Sequence, residues 1–333
     1  MSRLLRAELA RARARPAVWV VAGLVLLGVL GLVLTAWWQT RSPSAEQVAA
    51  AHVAYEEAVV RWDETGDAQL RDCREAQRAL PPGDPGRFDC ALLAPVPEAF
   101  LPLRPGLWQL ADERVDAAGV MLALGAFMLG ATLVGAEFAS GAIATWLTFA
   151  PRRGQVFATK VAAAVLVTLP VVAAAFVLLA VALLVVCQVH AVETFSPGVL
   201  ATSWVDLLQR AARWAAVAVG GTLLGAGLAF ALRHVGAVLG VAVWWLAAVE
   251  SALRLVLPAA GWLPLAVNVT AWTRGSAEYA VPVCRPDPAA PGLEVCENVW
   301  HVVGGAQGAV VAGSLVVLAL VLGLVSFRWR DVG

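Results

Sequence analysis

The sequence predicts an all-α, polytopic membrane protein with six transmembrane helices, an N-terminal amphipathic helix, and a helical extracellular insert between the first and second spans. Three observations lead there. Hydrophobic residues make up 60% of the chain and charged residues 14%, against about 25% charged in a soluble domain. Apolar runs recur near the length needed to cross a bilayer, ~20 residues at 1.5 Å each for ~30 Å. The charges are also segregated: residues 1–16 carry five Arg against one acid, Glu8, while residues 39–116 carry eight Arg against fourteen acids. Arginine-rich ends and short basic loops stay in the cytoplasm, so both chain ends are expected inside a bacterial cytoplasmic membrane and the acidic insert outside.

Residues 1–16 read as a cytosolic amphipathic helix, with Leu4, Leu5 and Leu9 on one side and arginines around them. Such a helix lies at headgroup level, drawn by anionic lipid. Residues 17–38 form the first span. They are too long for a signal-peptide core, and no A-x-A cleavage site follows. Trp37 and Trp38 suit the far interface.

The insert, residues 39–116, is expected to be a helical hairpin. Ser44 and Gln47 have capping-box spacing. Val48, His52, Tyr55, Val59 and Trp62 then follow as a one-sided seam. Thr65-Gly66-Asp67 is expected to break the helix, and a second helix to run to Leu80, before Pro81-Pro82-Gly83. His52 reads as a seam residue, not a ligand, because it has no metal-binding neighbours.

The second span is expected at 117–136, a charge-free stretch ending at Glu137, and the third at 158–187, tilted or bent near Pro170. An outer loop with Phe195, Pro197 and Trp204 leads to the fourth span, 208–232. Arg233-His234 is a tight inner turn before the fifth span, 235–257. Gly221-x-x-x-Gly225 and Gly236-x-x-x-Gly240 have the spacing of helix-packing faces, although chance spacing of glycine explains them equally. Glu250 and Arg254 share a face in the outer half of the fifth span. They read either as a polar element lining a pathway or as an interfacial pair. Residues 258–304, with Pro258, Gly261 and Pro264, read as an extracellular or re-entrant segment. Residues 305–327 form the sixth span, and 328–333 a cytosolic tail.

One stretch is unlike an ordinary loop. Residues 137–157 join spans two and three, and Phe138, Ile143, Trp146, Leu147 and Phe149 can gather on one side of a short helix that Pro151 ends. Arg152, Arg153 and Lys160 make its exit basic. This stretch resembles the permease subunits of type-two ATP-binding-cassette exporters. The resemblance rests on Glu137 at the inner end of the second span, Gly141 four residues on, then Leu147, Pro151, Arg152, Arg153 and Lys160. The chain has Ala142 where that family often has Thr. The closing Phe327-Arg328-Trp329-Arg330-Asp331-Val332 is similar to the family's usual ending. The likeness implies that this segment is a coupling helix docking on a cytosolic ATPase, with Phe138 and Trp146 sharing the contact. It further implies short re-entrant helices before the last span, a second permease half (a copy or a paralogue), and an amphipathic or lipid-like substrate.

Energy, on this reading, comes from a partner. A phosphate-binding loop needs Gly-Lys-Ser/Thr, and the one lysine, Lys160, follows Thr159 and precedes Val161. ATP and Mg are therefore expected on the partner subunit and no cofactor on this chain. None of the four His sits in an H-E-x-x-H or G-x-S-x-G setting, so the chain is not expected to be an enzyme itself. Formal net charge is zero, and no nucleic-acid partner is expected. The rival reading is a non-transporting membrane sensor or scaffold with a disulfide-tied extracellular domain.

The cysteines bear on topology. Cys73 and Cys90 fall in the first outer segment, and Cys284 and Cys296 in the last. Disulfides belong to oxidising compartments. Local pairing, Cys73 with Cys90 and Cys284 with Cys296, is expected, although four cysteines allow three connectivities. The spacings lack the C-x-x-C pattern of zinc sites, and no metal is expected. Cys187 reads as a small buried hydrophobe.

Overall fold

The computed structural model describes residues 2–80, 89–149, 151–192, 203–286 and 294–330, with the side chains of residues 2, 3 and 254 excepted. Six helices among them are long and apolar enough to cross a membrane: Pro16–Gln39, Leu107–Ala139, Arg153–Val189, Trp204–Leu232, Val235–Leu253 and Gly305–Trp329. The polytopic helical class is thus present.

Helix α1 (Ser2–Ala14) turns at Arg15 into α2 (Pro16–Gln39), whose first residue is a proline. Proline suits that position because its missing N–H has no helical acceptor there in any case. Helix α3 (Ala45–Ala79) opens on the expected capping box: Ser44 Oγ accepts from Gln47 N, and Gln47 Oε1 accepts from Ser44 N. The expected hairpin is corrected. Helix α3 runs unbroken for 35 residues through Thr65-Gly66-Asp67. One glycine costs a helix only about 1 kcal/mol, and here the Trp62 ring covers it, so that a Cβ on Gly66 would lie 2.6 Å from the ring. The seam is half-buried at Val48, Tyr55, Val59 and Trp62, while His52 is exposed. Two short 3-10 turns, Cys90–Leu93 and Pro97–Phe100, return against it, with Tyr55 packed edge-on to Phe100 at 5.8 Å. Pro81-Pro82-Gly83 lie outside the described residues.

Helix α4 (Leu107–Ala139) begins ten residues before the charge-free stretch expected for the second span. Two of its early charges are ion-paired: Asp112 with Arg210, and Asp116 with Arg274. Helix α5 (Ala142–Phe149) is a two-turn helix. Helix α6 (Arg153–Val189) carries Pro170 inside one continuous helix. Of the loop expected on the outer side, Phe195 and Pro197 lie outside the described residues. Trp204 starts α7 (Trp204–Leu232) and packs on Trp108 at 4.7 Å.

Helices α4 and α7 form the most extensive helix–helix contact. The two glycine spacings separate here. A Cβ on Gly225 would lie 2.2 Å from the Phe127 carbonyl oxygen and one on Gly221 2.8 Å from that of Ala123, whereas Gly240 has nothing within 4 Å. Gly221 and Gly225 are therefore a packing face against α4, and the pair at 236 and 240 is not.

Arg233, with φ of 60°, makes the turn into α8 (Val235–Trp244), and the His234 ring caps it by accepting from Ala237 N. A π-helical turn over Trp245–Val249 leads to α9 (Glu250–Val256). Helix α10 (Leu265–Arg274) is the short helix before the last span. The remainder of 258–304 departs from an all-helical chain. Strands β1 (Ser276–Pro286) and β2 (Glu294–Gly304) pair antiparallel with Cys284 opposite Cys296. Tyr279, Val281, Val299 and Val303 are β-branched or aromatic residues at strand spacing, and the prolines alone do not disclose that pattern. Helix α11 (Gly305–Trp329) closes the bundle.

Candidate functional site

The candidate site lies at the end of the bundle where α4 gives way to α5. Helix α4 stops at Ala139, and Gly141 turns the chain with φ of +67°. That left-handed conformation costs residues with a Cβ about 1–2 kcal/mol, so the glycine permits the turn. Helix α5 folds back on the bundle. Ile143 is fully buried in an apolar cluster with Val156, Phe157, Phe230 and Phe327, and Leu147 packs against the same cluster. The expectation that Phe138, Ile143, Trp146, Leu147 and Phe149 gather on one side of a short helix is corrected. Phe138 belongs to α4 and points inward, edge-on to Phe230 at 5.8 Å and to Phe327 at 6.2 Å. Phe149 is 83% exposed. A two-turn helix cannot hold all five on one side once Ile143 and Leu147 take the core.

Glu137 and Lys160 form a buried ion pair, with side chains 2% and 3% exposed. Neither is a surface docking group. Glu137 also pairs with Arg15, and Lys160 with Glu8 at 2.8 Å. Two carboxylates and two cations from α1, its junction with α2, α4 and α6 balance to zero. That balance is what makes the burial of charge tolerable. Glu8 does not stand out in the sequence as a site residue, because one acid among five arginines looks like dilution. Its isolation was the available signal: a lone acid on a basic helix is placed for a partner.

Trp146 connects α5 to this quartet. Its ring lies 4.4 Å from the Arg11 guanidinium carbon and 5.6 Å from Lys160 Nζ, both within the ~6 Å reach of a cation–π contact. Beyond α5, Pro151 breaks the chain and Arg152 serves as the N-cap residue of α6 without a side-chain cap. Arg153 reaches the other way. Its Nη1 donates to the carbonyls of Phe327, Arg328 and Arg330 at 2.9, 3.1 and 2.9 Å, and so ties the start of α6 to the last turn of α11. Of the expected tail, Asp331 and Val332 lie outside the described residues.

The structure thus brings Glu137, Trp146, Leu147, Arg153 and Lys160 into one linked end, while Arg152 stands at its surface. Glu250 lies elsewhere and has other work. Its carboxylate accepts from Leu265 N at 2.6 Å, Ala266 N at 3.4 Å and Trp245 Nε1 at 3.2 Å. It caps α10, satisfying amides that a helix start leaves without acceptors. The Arg254 side chain lies outside the described residues. The disulfides Cys73–Cys90 and Cys284–Cys296 are both formed, with Cα separations of 6.0 and 3.9 Å, and Cys187 is buried. Among the described residues, no three His, Cys, Asp or Glu side chains converge as a metal set.

No family model, curated protein or solved structure matches the chain.

Proposed function

We propose that this chain is the membrane-spanning permease subunit of an ATP-driven exporter, and that α5 couples it to a separate cytosolic ATPase. One observation carries the reading. A short helix between the second and third long apolar helices is fastened inward by Ile143 and Leu147 and leaves Phe149 exposed. The resemblance of Glu137, Gly141, Leu147, Pro151, Arg152, Arg153 and Lys160 to type-two exporter permeases supports it. So does the link from α5 through Trp146 to α1 and α6, because a push on α5 has stiff elements to act upon. ATP and Mg belong to the partner, since the chain has no Gly-Lys-Ser/Thr. A second permease half, a copy or a paralogue, completes the pathway, and the substrate is amphipathic or lipid-like. The location is the bacterial cytoplasmic membrane with both termini cytosolic, as the arginine distribution favours.

Co-expression with candidate ATP-binding-cassette ATPases from the same genome tests the proposal. A stable complex is expected, with an ATPase rate that falls at least about tenfold in Phe149→Glu, a change equivalent to ~1.4 kcal/mol of lost coupling. Because Phe149 is exposed, this variant should keep the fold of the parent. The second reading, a sensor or scaffold, draws on two disulfide-braced polar segments. It gains if no ATPase co-purifies and the isolated protein binds an external ligand instead.

A further inference from the structure

We propose that the cleft between the start of α6 and the end of α11 is a phosphate-binding site that takes the headgroup of an anionic phospholipid. The cleft is open, ≈ 670 Å³ in volume, and lined by Pro151, Arg152, Arg153, Gly154, Gln155 and Arg328. Among the described residues that line it, three carry guanidinium groups and none a carboxylate. Guanidinium stays charged at every pH a cell meets.

The three arginines are not equivalent. Arg153 is engaged by the last carbonyls of α11 and builds one wall. Arg328 lies across α6: a Cβ on Gly154 would meet its Nη2 at 3.1 Å. Glycine therefore lets a cation approach the first turn of α6, where the helix dipole is already positive. No acidic residue stands in that turn. Among the described residues, the ion pairs are made by other groups, and neither Arg152 nor Arg328 takes part in one. Two unpaired cations beside a positive helix end repel one another. An anion between them removes the repulsion, and phosphate oxygens match the fork of N–H groups on guanidinium.

Position favours a lipid over a free ion. Helix α11 is 25 residues long and apolar enough to span, so Arg328 in its last turn falls where headgroups lie, and Arg153 is tied to that turn. Trp329, 82% exposed, follows Arg328 in sequence, and tryptophan favours that interface. The proposal needs membrane insertion only. It survives if the exporter reading fails.

The test uses the full chain purified in neutral detergent. Native mass spectrometry is expected to show phosphatidylglycerol retained in preference to phosphatidylcholine. Short-chain phosphatidylglycerol should raise the unfolding temperature, and inorganic phosphate should not compete with it. R152Q/R328Q should bind it about tenfold or more weakly, as loss of charge-assisted bonds requires, while R285Q on β1 binds as the parent does. Should the double variant not fold, R328K, which keeps the charge but loses the fork, is expected to bind severalfold more weakly. Equal binding of the two lipids, or parent-like binding by the arginine variants, overturns the proposal. Equal competition by inorganic phosphate overturns the headgroup assignment.

Discussion

At the scale of single residues, buried Glu8, Glu137 and Lys160 form an ionic quartet with half-buried Arg15. Removing one member leaves an uncompensated charge, which costs about 3–5 kcal/mol in such settings. Glu137→Gln and Lys160→Met are each expected to lower the thermal unfolding midpoint in detergent sharply. The double variant Glu137→Gln/Lys160→Met keeps Glu8 and Arg15 and stays neutral, so it should recover part of the loss. Strictly additive losses would show that these groups are not energetically coupled. Gly141 gives a cleaner case. Its φ is +67° and nothing stands within 4 Å of a Cβ there, so Gly141→Ala should cost about 1–2 kcal/mol through the backbone alone. Gly141→Asn should cost less, because Asn tolerates that region.

At the scale of elements, α3 and the β1–β2 hairpin are held differently from the spans. Helix α3 gains its cover from two 3-10 turns, and the Cys73–Cys90 bridge closes that return over a separation of 17 residues. A loop of that size is stabilised by about 3 kcal/mol on the chain-entropy picture. The Cys73→Ser/Cys90→Ser variant should therefore show faster hydrogen exchange in 89–106 and along α3, with exchange in α4 and α7 unchanged. Spread of the effect into those spans would mean that the segment supports the bundle directly. The shape of α3 also shows where local signals fall short. Thr65-Gly66-Asp67 looks like a break until Trp62 is seen to lie on Gly66. Propensity lost at one position is small beside a ring packed over it.

At the scale of the whole molecule, packing of α4 on α7 sets the bundle. Gly225→Val must move the α4 backbone, because a Cβ there would lie 2.2 Å from the Phe127 carbonyl oxygen. It should abolish monodisperse protein on size-exclusion chromatography, whereas Gly240→Val, with open space around it, should behave as the parent does. Sidedness is open to a similar contrast. With the ends inside, Phe149→Cys should react with impermeant maleimide only in inverted vesicles, and Val53→Cys only in intact cells. The opposite pattern would remove the basis for the exporter reading.

Six helices long and apolar enough to cross a membrane, the capping box at Ser44 and the turn at Arg233 and His234 are legible from composition and short-range spacing, because each depends on residues within a turn or on the length of an apolar run. The partners of Glu137 are not. Arg15 and Lys160 stand 122 and 23 positions away, and pattern along a chain carries no record of which charges meet. For the same reason Gly221 and Gly236 open identical motifs, yet only the first meets a neighbouring backbone. Glu250 shows the rule once more: its acid character was visible beforehand, but its task as the cap of α10 exists only where the fold returns Leu265 and Ala266 to it.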